Sequence, residues 1–133
     1  MLIQIPVPVA ELFDKISILQ IKQQQLSDPN RHQLASHELE QLMLIVRQHQ
    51  LSDFLQSSLF QQLLETNRTL WDVCEERRQF EHLKQFDQTF IEKSRLEYKT
   101  NDHRASLKQQ INKHFGSAIM EVKSYKRFSH DSE

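Results

Sequence analysis

Glycine is almost absent from this chain; Gly116 is the only one in 133 residues. That removes every Gly-rich phosphate cradle, the P-loop and the dinucleotide fingerprint included, because those loops need several backbone positions without a side chain. It also argues against a fold of many tight hairpins, whose turns call for residues at ease with positive φ. Cysteine is equally scarce. Cys74 alone can form neither an intramolecular disulfide nor a thiolate metal cluster, and a reducing cytoplasm is the expected compartment. Long apolar runs are missing too. The longest, Leu42 to Val46, is far too short to cross a bilayer. The N-terminal piece lacks a basic leader and meets Glu11, Asp14 and Lys15 at once, so it does not read as a signal peptide. With a formal net charge of −1, no global field draws the chain to nucleic acid or an anionic membrane.

What remains is a glutamine-rich sequence with helical spacing throughout, enough for one domain with one core. Pro6 and Pro8 hold the start extended. From Val9 the stripe Val9, Leu12, Phe13, Ile16, Leu19, widened by Ile18 and Ile21, predicts a first helix ending near Leu26. Asp28 before Pro29 reads as the cap of a second helix that buries Ala35, Leu39, Leu42 and Val46 and ends near His49. Ser52 or Asp53 is the expected cap of a third. There Phe60, Leu63, Asn67, Leu70 and Cys74 alternate in steps of three and four, with Leu64 and Trp71 alongside, to about Leu83. Asp87 caps a fourth, with Phe90, Ile91, Ser94 and Tyr98 inward. Thr100, Asn101 and Asp102 read as a kink or a break. Leu107, Ile111 and Phe115 then continue to Gly116, a fitting C′ residue. The expected architecture is all-α: a single bundle of four to five helices over residues 1–125, a short extended N-terminus, and a mobile tail over 126–133.

Seven histidines invite a metal site, but none has glutamate three residues before it and no two are four apart. His37 and Glu40 are the nearest approach. No metal and no cofactor is expected. Cys74, followed by Glu75 and Glu76, reads as a small buried hydrophobe rather than a nucleophile. No catalytic motif is recognisable. The basic, aromatic run Lys123 to Phe128 is too short on a near-neutral protein to make a nucleic-acid binder.

The denser signal is polar residues placed to face inward. Asn67, Trp71, Glu75 and Arg78 share a face of the third helix, and Arg95 and Tyr98 lie on the fourth. Asn101, Arg104, Lys108 and Asn112 form another face. Guanidinium and ammonium beside asparagine can clamp a carboxylate or phosphate. The same residues can equally form a structural ion-pair network. Asp14 and Lys15, inside an apolar helix, are expected to meet these charges in either case. A wide apolar surface on the first helix would also suit a homodimer.

"PVPVAELFDKISILQIK", "ETNRTLWDVCEERR", "YKTNDHRASLKQQIN" and "GSAIMEVKSY" together resemble a family of short bacterial proteins of unknown function. The resemblance rests on Glu11, Asp14, Lys15, Lys22, Asn67, Trp71, Arg78, Asn101, Asp102, Arg104, Lys108, Asn112, Glu121 and Lys123. It departs at Cys74, where the family usually has an acid, at Ala10 for a usual glycine, and at Arg77 for an apolar residue. The resemblance implies a helical protein with no established activity, sometimes encoded near surface-polysaccharide genes. Two functions follow as expectations. The first is a non-enzymatic binding or accessory protein with a protein partner, linked to envelope or surface-glycan assembly. The second is a small enzyme or sensor holding an anionic metabolite among Asp14, Lys15, Asn67, Trp71, Arg78, Arg95, Asn101, Asp102, Arg104, Lys108 and Asn112.

Overall fold

Pro8 sits at φ −61°, ψ 151°, an extended conformation that delays the first helix to the next residue. The computed structural model describes residues 1–117. The apolar piece Ala118 to Val122, the basic run that follows it and the expected tail lie outside the described residues. Four helices follow in order: α1 (Val9–Gln25), α2 (Pro29–Gln48), α3 (Ser58–His82) and α4 (Gln88–Phe115), with no strand among the described residues. A 3-10 turn, Ser52–Gln56, links α2 to α3.

The helix starts follow their capping chemistry. The Asp28 carboxylate accepts from the Asn30 amide with Pro29 at the first helical position, and Asp87 accepts from Phe90. The third start differs from expectation. Ser52 and Asp53 open the 3-10 turn, and the α3 cap is Ser57, whose hydroxyl accepts from the Phe60 amide at 3.2 Å. Two helix ends manage without glycine. Gln50 and Lys84 take the left-handed conformation, φ 55° and 57°, after α2 and α3. In each case the next amide reaches back five residues, Leu51 to Val46 and Gln85 to Phe80. Gly116 does the same after α4 at φ 63°.

α4 runs unbroken through Thr100, Asn101 and Asp102, so no helix break occurs there. Those residues cost only tenths of a kcal/mol each in a helix, and tertiary contacts override that. The bundle is built around α1, which packs on α2, α3 and α4. Its apolar stripe is therefore buried: Phe13, Ile16, Leu19 and Ile21 are at most 2% exposed. That corrects the expectation of a wide free apolar surface on this helix. Phe13 is the hub, with ring centroids 4.6 Å from Phe54, 5.9 Å from Phe60 and 6.1 Å from Phe115. Val46, Leu63, Leu107 and Ile111 complete the cluster.

At 1.5 Å per residue, α3 and α4 extend about 37 and 42 Å against about 25 Å for α1, so their hairpin outruns the body. From Cys74 to Asn101 no residue is buried. Ile91 and Tyr98, expected inward, are 42% and 40% exposed. On the same stretch of α4, Phe90 turns towards α3, edge-on to Phe80.

Candidate functional site

The geometry starts from Asp14, whose side chain is 5% exposed although it lies in the middle of α1. Helical spacing places Glu11, Asp14 and Ser17 along one edge of the helix. The Ser17 hydroxyl donates to the Asp14 carbonyl at 2.7 Å, a local bond that hides its own polarity. Asn67 reaches across from α3. Its amide donates to Asp14 Oδ1 at 2.9 Å and to Ser17 Oγ at 2.7 Å, so both of its protons are used.

α4 supplies the cations. Arg104 grips Asp14 with two donors, Nε to Oδ1 at 3.0 Å and Nη2 to Oδ2, the fork geometry that suits guanidinium to carboxylate. Its Nη1 donates to Asn101 Oδ1 at 3.3 Å. One turn further on, Lys108 Nζ sits 2.7 Å from Glu11 Oε1 and 3.7 Å from Asp14 Oδ2. Burial works against the charge on Lys108. The hydrogen bond to Glu11 and the charges of Asp14 and Glu11 outweigh it, with Arg104 opposing, so its pKa lies above the ordinary 10.5. Two carboxylates and two cations thus balance across α1 and α4.

Asn112, another turn on, does something different. Pro8 cannot cap α1 with a side chain, and the first amides of that helix would be orphaned. Asn112 Oδ1 accepts from the Ala10 amide at 2.8 Å, and Ser117 Oγ accepts from Val9 at 3.3 Å. The end of α4 therefore caps the start of α1, across 102 residues of chain.

Beside this network lies an open cleft of about 440 Å³ between α1, α3 and α4. Ile18, Ile21, Leu70 and Trp71 give it apolar walls. Asn67, Cys74, Glu75, Arg78 and Arg104 supply its polar rim. Arg78 is exposed, 3.8 Å from Glu75. Cys74 is half-buried rather than sealed in the core, and its thiol donates to Glu97 Oε1 at 3.0 Å.

The structure thus gathers Asp14, Asn67, Asn101, Arg104 and Lys108 into one cluster, with Asn112 at its end and the buried Asp102 on the same helix. Trp71 and Arg78 border the cleft. Two candidates are not brought in. Lys15 turns away to Glu38 of α2 at 2.8 Å, and Arg95 is exposed on the outer part of α4. Glu11, Ser17 and Ser117 were missing from the candidate set. Glu11 and Ser17 were legible as residues three before and three after Asp14; Ser117 gave no local signal. Among the described residues, no group of three or more His, Cys, Asp or Glu could hold a metal ion. No helix among them is long and apolar enough to cross a membrane.

Residues 3–131 match the model of a family of unknown function, DUF6165. The chain belongs to that family. No curated protein and no solved structure matches it. Family membership therefore names no reaction, ligand or partner, and any functional reading of this DUF6165 member rests on its own geometry.

Proposed function

We propose that this protein acts by binding a protein partner rather than by catalysis. The observation that carries the reading is the pairing of the Asp14 cluster. Its carboxylates and cations are satisfied by one another and by Asn67, an arrangement that fixes helices in place. The surface left for recognition is the adjoining cleft, where an apolar segment could seat against Trp71, Leu70 and Ile18 with its polar groups on Arg78 and Glu75. The resemblance to proteins encoded near surface-polysaccharide genes supports an accessory role in bacterial envelope or glycan assembly, exerted from the cytoplasm.

A second reading has its own observation. The guanidinium groups of Arg78 and Arg104 both border the cleft, which suits an anionic metabolite such as a sugar phosphate. Trp71 is the only tryptophan in the chain, so its fluorescence reports on the cleft alone. Titration with inorganic phosphate, sulfate and a sugar phosphate should leave Trp71 emission and the thermal midpoint unmoved if the occupant is a protein. A photo-crosslinking residue in place of Glu75, in cells that make the protein, should then yield one defined adduct that Trp71→Ala abolishes. Saturable emission and melting shifts with a small anion, lost in Arg78→Gln, would replace the partner with the metabolite.

A further inference from the structure

The outer part of α4 carries a face that the cleft does not use. Phe90 and Glu97 point to α3, where they meet Phe80 and the Arg77 guanidinium. Helical spacing puts Glu92, Leu96, Lys99 and His103 on the opposite side, in one line. All four are exposed, with Leu96 at 40%. Ile91 and Tyr98 flank them at 42% and 40%. No ion pair is made by Glu92 or Lys99 among the described residues, whereas Glu76, Arg77, Lys93 and Glu97 of the same arm pair across the hairpin.

The order of these residues is self-complementary. Leu96 stands four residues after Glu92 and three before Lys99. A second α4 laid antiparallel about a two-fold axis between residues 95 and 96 sets each Leu96 beside its twin. It also places Glu92 opposite the partner's Lys99, and by symmetry does so twice. Gln88 and His103 meet in the same way one turn further out. A two-fold interface brings a patch against itself, so a patch of one sign would repel, while an acid and a base at matched distances from an apolar centre attract. From residue 74 to 101 the arm carries six acidic and six basic residues, so no net charge opposes the approach. We propose that two copies of this chain pair antiparallel through the Glu92–Leu96–Lys99 face of α4.

Sedimentation equilibrium of the full chain is the test, with circular dichroism to confirm that every variant stays helical. The parent should approach twice 15.9 kDa as concentration rises. Glu92→Lys alone should weaken the dimer at least tenfold, because it sets lysine against lysine. The swap Glu92→Lys with Lys99→Glu should restore it, which a merely structural effect on the arm would not do. In a Cys74→Ser background, Leu96→Cys should form an intermolecular disulfide on mild oxidation, and Leu34→Cys on α2 should not. A chain that stays monomeric at millimolar concentration overturns the proposal. So does a dimer indifferent to the charge swap, or a Leu96→Cys thiol that captures a different protein instead of its twin.

Discussion

Two of the arginine–carboxylate pairs along the α3–α4 hairpin stand in different surroundings. In the body, Arg104 holds Asp14, which is 5% exposed and shared with Asn67 and Lys108. In the outer arm, Arg77 holds Glu97 while both remain about a third exposed, 35% and 27%. The body pair joins α4 to α1, with Asn67 adding α3, and sits beside the Phe13 cluster. The arm pair joins only the two helices that the hairpin already holds together. Desolvation makes the first pair costly to form and costlier to break, because removing one partner strands the other in apolar surroundings. Water dilutes the second pair and softens its loss. Burial, and not the contact itself, separates a group that fixes the fold from one that only decorates it.

The first test is the largest. Asp14→Ala removes the acceptor shared by Arg104, Asn67 and Lys108, and should cost about 3–5 kcal/mol in chemical denaturation. A loss below about 1 kcal/mol would mean that water reaches the cluster and that body and arm do not differ. The pH dependence sharpens the same point. Lys108 titrates above its ordinary 10.5 in the folded protein. Its contribution is therefore complete below the unfolded value and disappears as pH climbs through the higher folded one. Denaturation across pH 9 to 12 should show a decline that is shallower in Lys108→Met. Equal slopes would detach Lys108 from Glu11 and Asp14.

Asn112 comes next. Asn112→Ala leaves the Ala10 amide buried without an acceptor, and should cost about 0.5–2 kcal/mol, the usual range for a lost helix cap. No change would mean that α1 starts without help from α4. Glu97→Ala belongs to the arm and should cost about 1 kcal/mol, well short of Asp14→Ala. If the two proved equal, the arm would be as tightly held as the body.

Helix limits were readable wherever a local signal set them. Asp28 with Pro29, Asp87 and Gly116 act within a few residues of their own backbone. Local chemistry does not single out Ser57, because Ser52 and Asp53 offer the same chemistry a few residues earlier, and only the 3-10 turn decides between them. Of the two readings of the Thr100–Asp102 stretch, the break does not occur, because tertiary contacts outweigh its weak local preference. In the site, Asn67 stood out as an amide on an apolar seam. The bond from Ala10 to Asn112 could not be seen in the same way. It depends on how α1 and α4 meet across 102 residues, and nothing in the spacing of either helix encodes that distance.

The smallest prediction concerns the residue beside the most constrained one. Asp14 and Lys15 are neighbours, but consecutive positions on a helix point about 100° apart, so they face different surroundings. Asp14 turns to the buried junction of α1, α3 and α4. Lys15 turns to Glu38, and although the contact is short at 2.8 Å, its two side chains are 58% and 43% exposed. In water such a pair gains little, since each ion keeps most of its hydration and holding two long side chains together costs entropy. Lys15→Ala should therefore shift stability by no more than about 0.5 kcal/mol, against about 3–5 kcal/mol for Asp14→Ala one residue earlier. Denaturation of both variants in low and high salt is the check. Salt should erase the small Lys15 effect and leave most of the Asp14 effect intact, because a buried pair is shielded from mobile ions. A Lys15 loss above about 2 kcal/mol that survives high salt would show that α2 is held to α1 by charge rather than by its apolar contacts.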